Sequence, residues 1–290
     1  VRTKRTGISR PFFCQQYYYP QKEIMMSENY AIVTGASEGI GFEFTKILAA
    51  LKYNLIIIAR RENLLSKQAK KLESEFDIKC LVLALDLSNS NSAEEIFSFV
   101  EKNNITVNFL INNAGMLQNG YFSELPIMKQ QQMINLNIMT LTKLSHLFIN
   151  YLKLEGTAGH LLNVASLAGW IPIPNQNVYS ASKSFVLSFS LALSDELKAS
   201  GDNITVSALC PGFTATKMMN NPDQGGILKI PNRLMLSAHK VAEVGIKGCL
   251  SGKRLIVPGI MNKLTCGLTH CFSKEFLSKH VGNFYRKNMT

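Results

Sequence analysis

The sequence predicts an α/β protein built on one doubly wound, seven-stranded parallel sheet in a single domain, and three observations lead there. From Asn29 onward, short apolar β-rich runs alternate with longer amphipathic stretches, the pattern of βαβ units. Some runs, such as Leu55–Ile58, are apolar at every position, which suits strands covered on both faces. No linker rich in Pro, Gly or Ser divides the body, and 290 residues with 46% hydrophobic content can bury one sizeable core.

Taken in chain order, the strand runs are YAIVTG from Tyr30, NLIIIAR from Asn54, CLVLALD from Cys80, NFLINNAG from Asn108, HLLNVAS from His160, ITVSALCPG from Ile204 and RLIVPG from Arg254. Each of the first six is followed by residues of helical period, so crossovers return the strands in one direction. Ligands of such sheets bind outside the carboxyl ends of the strands. The residues that close these runs are polar.

The first run passes into TGASEGIG, Thr34 to Gly41, and then into an amphipathic stretch that begins near Gly39. Gly35 permits a tight turn, Gly39 lets a pyrophosphate approach the helix N-terminus, and Gly41 lets the helix pack closely on the sheet. The spacing differs from the Gly-x-Gly-x-x-Gly dinucleotide pattern, so the match is one of mechanism. The second run ends in Ala59, Arg60 and Arg61, where a NAD-binding fold places an acid on the ribose hydroxyls. An arginine there can pair with a 2′-phosphate, which favours NADP(H) over NAD(H). Asp86 closes the third run, placed either to accept a hydrogen bond from the adenine amine or to cap a helix. Tyr179 and Lys183 stand four residues apart in a helical stretch and so share one face. A protonated Lys183 would draw the phenol below its usual pKa of about 10 and make an acid/base tyrosine; an incidental polar pair is the other reading of that spacing.

The net charge of +11 sits at the ends of the chain. Residues 1–25 carry five Lys/Arg against one acid, residues 251–290 carry seven against one, and the other 225 carry nineteen against eighteen. A nucleic-acid reader would carry its basic face on the folded body, so no nucleic-acid partner is expected. Basic, aromatic-containing ends can instead lean on an anionic membrane surface. Residues 1–25 read as a poorly ordered basic extension without the apolar stretch of a secretory signal, residues 26–260 as the NADP(H)-binding catalytic domain, and residues 261–290 as a basic helical segment. That last segment either lies on a surface or packs on the body or a partner subunit. No run approaches the ~18–20 apolar residues of a membrane span. Cys14, Cys80, Cys210, Cys249, Cys266 and Cys271 lack zinc-ligand or redox spacing, which predicts free thiols in a reducing, cytoplasmic compartment. Cys266, His270 and Cys271 are too few ligands for a zinc site, and no metal is expected.

Over nearly all of residues 29–260 these motifs resemble, in order, the short-chain dehydrogenase/reductase family. Thr34, Gly35, Gly39, Ile40 and Gly41 match its cofactor turn, and Asn112, Asn113, Ala114 and Gly115 match its fourth-strand motif. Asn137 in NIMTLTKL matches the active-site asparagine. Ser166 stands thirteen residues before Tyr179, the family's serine-to-tyrosine spacing, and Lys183 completes the tetrad. Pro211, Gly212 and Thr216 in PGFTATKM match the motif that embraces the nicotinamide end.

The resemblance implies a Rossmann-type fold and an oxidoreductase that moves a hydride between NADP(H) and a carbonyl or alcohol. Tyr179 would be the general acid/base, with Ser166 on the same substrate oxygen. Lys183 would hold the nicotinamide ribose, and Asn137 a water that relays protons to Lys183. Ser37, Leu87 and Thr214 would join the cofactor contacts, and a homo-oligomer, dimer or tetramer, is expected. One departure is Glu38, where many NADP(H)-preferring members carry a base, so the coenzyme preference rests on Arg60 and Arg61. IIIARREN and RLIVPGIMNKL resemble the branch of oxoacyl-chain reductases. Substrate contacts are expected from residues 167–177 and 217–237; Met218, Met219, Ile227, Leu228, Ile230 and Leu234 in the second suit an apolar ligand such as an acyl chain, a steroid-like molecule or a simple ketone. Small polar or sugar alcohols are the alternative substrates. Binding of NADP(H) without turnover is a further alternative, against which stands the complete set Asn137, Ser166, Tyr179 and Lys183.

Overall fold

Alternate residues of a strand face opposite sides of a sheet, and in the first strands of this chain both sides are apolar. Ala31 and Val33 of β1 (Asn29–Thr34) enter one core and Ile32 the other; Leu55 and Ile57 of β2 (Asn54–Ala59) join the first, Ile56 and Ile58 the second. A sheet apolar on both faces requires helices on both. A computed structural model describes residues 29–288 except Asn221. The extension expected over residues 1–25, with Cys14, lies outside the described residues.

The remaining strands of the main sheet are β3 (Cys80–Ala84), β4 (Thr106–Asn112), β5 (Gly159–Val164), β6 (Ile204–Leu209) and, after the short β7 (Thr214–Ala215) and β8 (Leu236–Ser237), β9 (Leu255–Ile256). The seven strands are parallel, in the order β3-β2-β1-β4-β5-β6-β9. The helices are α1 (Gly39–Ala50), α2 (Glu62–Phe76), α3 (Ser92–Lys102), α4 (Ile127–Ile134), α5 (Leu141–Glu155), α6 (Asn177–Ala199), α7 (Ala238–Leu250), α8 (Ile260–Thr269) and α9 (Lys274–Asn288). Side chains of α1, α2 and α7 fill one core, and those of α3, α5 and the end of α6 the other. This is the doubly wound sheet in a single domain that the alternation of runs predicts.

Three local features differ from the simplest reading of the sequence. The seventh strand pairs at only two positions, Leu255 with Ala208 and Ile256 with Leu209, because Pro258 has no N–H to donate and Gly259 turns the chain at φ 87° into α8. Between α4 and α5 the helix continues as a π-helical stretch, Asn135–Thr140, a widening found often at functional positions. Finally, β7 and β8 pair in parallel, Thr214 with Leu236 and Ala215 with Ser237, and so close the base of the excursion 217–235.

The described cysteines are free: Cys80, Cys210, Cys249 and Cys266 are buried and Cys271 is exposed. His270 packs edge-on against Trp170 with ring centroids 5.4 Å apart, a packing role for the one histidine between those last two cysteines. Among the described residues no helix is long and apolar enough to cross a membrane.

Candidate active site

The strand order turns between β1 and β4, and their continuations part there to opposite sides of the sheet, which opens a crevice at the carboxyl ends. Side chains hold the two strand ends together below it. Thr34 Oγ1 donates to the Ile111 carbonyl (3.1 Å) and accepts from the amides of Asn113 (2.9 Å) and Ala114 (3.0 Å). Asn113 Nδ2 donates back to the carbonyl of Thr34 at 2.9 Å. Gly35 sits at φ +65°, a left-handed conformation that glycine adopts without strain. A Cβ on Gly41 would meet the Gly35 carbonyl oxygen at 2.1 Å and Asn113 Nδ2 at 2.6 Å, so only glycine lets α1 start this close to the turn.

Above this join lies a groove of about 1620 Å³, lined by Gly35, Ser37, Gly39, Ile40 and Gly41 of the turn, Arg60 and Arg61 after β2, Asp86 and Leu87 after β3, Asn113, Ala114 and Gly115 after β4, and Thr216. Pro211, Gly212 and Thr214 are not in that lining, and neither are Tyr179 and Lys183. Gly212 packs on Asn262 of α8, and the Pro211 carbonyl accepts from the Leu167 amide at 2.9 Å. The N-cap of α3 is Asn91, and Asp86 does not cap a helix: its Oδ1 accepts from the amide (2.9 Å) and hydroxyl (2.8 Å) of Ser88 in a local turn. Burial pushes its pKa up, but those hydrogen bonds and the charge of Arg60 outweigh burial and hold it below the usual value.

Arg61 does not stand free. Its Nη2 donates to Ser37 Oγ at 2.8 Å and pairs with Glu38 Oε2 at 3.0 Å, and Lys217 approaches the same carboxylate at 3.8 Å. Glu38 thus gathers two cations at the end of the groove near β2, and one of them, Arg61, holds the Ser37 hydroxyl. The donor set fits a dinucleotide: amides of a glycine-rich turn at a helix N-terminus suit a pyrophosphate, and clustered cations suit a further phosphate. Lys217 and Gln68, whose Nε2 donates to the Ser37 carbonyl at 2.9 Å, carry no signal in the sequence, because long-range folding alone brings them here.

A chain of buried amides and hydroxyls links the groove to the helix that carries Tyr179. Asn112 Nδ2 donates to Ser145 Oγ of α5 (3.2 Å) and to Asn163 Oδ1 of β5 (2.9 Å); Asn163 Nδ2 donates to Ser190 Oγ of α6 (3.0 Å). All four residues are buried. The π-helical stretch turns Asn137 inward, where Oδ1 accepts from the Met116 amide and Nδ2 donates to the Met116 carbonyl, both at 3.0 Å, and to Ser182 Oγ at 3.1 Å. Lys183 is buried and its Nζ donates to the Val164 carbonyl at 2.8 Å. A Cβ on Gly115 would lie 3.3 Å from Asn137 Oδ1 and 3.6 Å from Lys183 Nζ, so the asparagine, the lysine and the turn after β4 converge.

Ser166 follows β5; its Oγ accepts from the Ala168 amide at 3.1 Å and hydrogen-bonds the Tyr179 side chain. Burial raises the Tyr179 pKa, and the Ser166 hydrogen bond opposes that without reversing it. The depression expected from Lys183 is absent from this balance. The reason is geometric: the ammonium is held by the Val164 carbonyl, 5.8 Å from the centroid of the Tyr179 ring, and burial lowers the Lys183 pKa to about 8.

Tyr179 packs against an apolar cluster of Ala168, Ile173, Leu228 and Tyr285, joined by Ile171, Phe213, Ile230 and Val281. The cluster draws on both segments expected to meet substrate and also on α9. Gly282 lets α9 approach Pro174, and the Lys229 amide donates to the Asn288 carbonyl at 3.0 Å. Asn119 ties the two segments together, accepting from Gln176 Nε2 and donating to the Gly226 carbonyl. Tyr285 and Asn119 belong to no motif in the sequence; the only signal for Tyr285 is the helical spacing of Val281, Gly282 and Tyr285 along α9.

With this geometry in place, comparison with known proteins identifies the class. Residues 29–225 match the short chain dehydrogenase family, and the chain belongs to that family. Its relatives include the very-long-chain 3-oxoacyl-CoA reductases of Rattus norvegicus, 31% identical over 193 residues (65% of this chain, 60% of the rat protein), and Danio rerio, 32% identical over 196 residues (65% and 59%). The match spans about 60% of the length of these relatives. Among solved structures, a short-chain dehydrogenase from Sphingobium yanoikuyae in complex with NADPH is 26% identical with a TM-score of 0.73, covering 84% of this chain and 96% of that one. A 7β-hydroxysteroid dehydrogenase shares the fold at a TM-score of 0.78 and 22% identity, covering 88% and 96%.

The buried amide chain leads to a stability prediction. Asn163→Ala strands one donor of Asn112 and leaves a void beside Ser190, and should lower the urea-derived unfolding free energy by at least about 2 kcal/mol. A change within about 0.5 kcal/mol, the range of an ordinary surface substitution, would mean that the chain does not hold β4, β5 and α6 together.

Proposed function

We propose that this chain is an NADP(H)-dependent reductase of carbonyl groups carried on apolar, acyl-like chains. The apolar cluster packed on Tyr179 carries the reading: Ile173, Leu228 and Tyr285 are buried around that side chain, so a carbonyl presented to its hydroxyl has to part this packing and lodge its substituents against aliphatic and aromatic groups, which suits an alkyl chain better than a polyol. The relatives, very-long-chain 3-oxoacyl-CoA reductases by name, support the same substrate class. The coenzyme would supply a hydride from its nicotinamide ring to the carbonyl carbon.

The chain's own residues manage the proton and the charge. Tyr179, kept protonated by burial, donates its phenolic proton to the carbonyl oxygen as the carbon is reduced. Ser166 Oγ accepts from the Ala168 amide, and its own hydrogen, turned to Tyr179 in this structure, can swing to the same oxygen and stabilise the charge that develops there. Lys183, with a pKa lowered to about 8, can exchange a proton near neutral pH, and its tether to Val164 fixes it beside Asn137 and the turn after β4. Gly35, Gly39 and Gly41 would receive the pyrophosphate at the start of α1. Arg60, Arg61 and Ser37 would receive a 2′-phosphate, with Glu38 holding Arg61 in place.

Two measurements test this. Tyr179→Phe keeps the packing and removes the proton, so reduction of a 3-oxoacyl thioester, followed by NADPH oxidation, should fall ~10²–10⁴-fold while NADPH binding persists; near-native turnover would remove Tyr179 from the mechanism. Arg60→Ala with Arg61→Ala should weaken NADPH about tenfold or more, the weight of a charged hydrogen bond, and leave NADH nearly unchanged. Equal affinity of the unaltered protein for NADPH and NADH would contradict the coenzyme assignment.

A further inference from the structure

We propose that the outer faces of α8 and α9 form a docking surface for an anionic phospholipid bilayer. In α8, Ile260, Met261, Leu264 and Leu268 are 77%, 71%, 56% and 58% exposed. Helical geometry places these four within an arc of about 100°, away from Cys266, the buried residue of that helix. The apolar series continues through Phe272 and Phe276, whose rings stack at 5.0 Å, to Phe284, all exposed. Large apolar side chains gathered this way contribute nothing to the fold while they face water.

Charge identifies what covers them. Lys263, Lys274, Lys279, Arg286 and Lys287 are exposed along the same two helices, and Glu275 is the one acid between Gly259 and Asn288. Apolar and aromatic anchors interleaved with basic residues match an anionic lipid interface, into which the anchors insert while the cations meet headgroups. A second copy of the chain fits poorly. A two-fold contact sets a patch against itself, and this patch would oppose its own five cations. Since no described helix can span a bilayer, the contact is interfacial. The inner face of α9 meanwhile carries Tyr285 and Val281 into the apolar cluster at Tyr179, so one helix would touch both the bilayer and the wall of the site.

The test is sedimentation of the full chain with vesicles of equal parts phosphatidylglycerol and phosphatidylcholine, or of phosphatidylcholine alone, at low and high salt. It uses neither coenzyme nor substrate, so its outcome is independent of the proposed reaction. The chain should pellet with the anionic vesicles at low salt, be released at high salt, and stay in solution with phosphatidylcholine. Leu264→Glu with Leu268→Glu should weaken partitioning at least about tenfold, the effect of removing two apolar anchors, at an unchanged thermal midpoint. Lys263→Gln, Lys274→Gln and Lys279→Gln together leave the apolar face intact and should flatten the salt dependence. The proposal is overturned if the unaltered chain stays in the supernatant at low salt or the leucine variant pellets equally. It is also overturned if that variant alters the sedimentation coefficient of the lipid-free protein, which would make the face a subunit contact.

Discussion

The hydrogen bonds of Thr34 and Asn113 hold β1 to β4 at the place where the strand order turns, and the remainder of the site depends on that join. A crevice between diverging strand ends leaves backbone donors and acceptors without ladder partners, and buried groups of that kind are costly unless something pairs them. One threonine hydroxyl and one asparagine amide do so. By taking up the ladder ends sideways, they leave the space above for a ligand, and Asn113 also closes the turn on which α1 begins. The tight contact between Gly41 and Gly35 then aims the N-terminus of α1 at the groove.

From this join the structure extends in two directions. Toward β2, Glu38 collects Arg61 and Lys217 into a cationic end. Toward β5 and α6, Asn112 and Asn163 pass a chain of hydrogen bonds through an otherwise apolar sheet; Asn112 Oδ1 alone in it lacks a partner, and directional bonds of this kind set spacing more strictly than apolar contact. It fixes the helix of Tyr179 against the strand that leads to Ser166. Burial then acts on both titratable groups, raising Tyr179 and lowering Lys183. A tyrosine kept in its acid form beside a lysine able to exchange protons near neutral pH suits delivery of a proton to a carbonyl.

Much of the fold was legible in the sequence because burial on both faces writes itself into strands as unbroken apolar runs; β1 and β2 are the plainest cases. The glycine turn was legible for a related reason, since only glycine tolerates those positions. The short β9 was overread because an apolar run says nothing of where a proline will end the ladder. The π-helical stretch around Asn137 was not legible, as its side chains follow no distinct period and the partner of Asn137, Met116, comes from the loop after β4. The same holds for the Lys183 tether: spacing puts Tyr179 and Lys183 on one face, but the partner of the ammonium is a carbonyl from another strand. Tyr285 joins the site from the far end of the chain, through a contact that only tertiary structure defines.

The central claim is that a coenzyme lying in the groove between β1 and β4 reaches a carbonyl held at Ser166 and Tyr179. Isotope transfer tests it most directly. NADPH carrying two deuterons at C4 of the nicotinamide, incubated with the protein and a long-chain 3-oxoacyl thioester, should yield a 3-hydroxyacyl product with one deuterium on C3, read by mass spectrometry. A reduced product without deuterium, or coenzyme that keeps both deuterons while bound, would contradict the account.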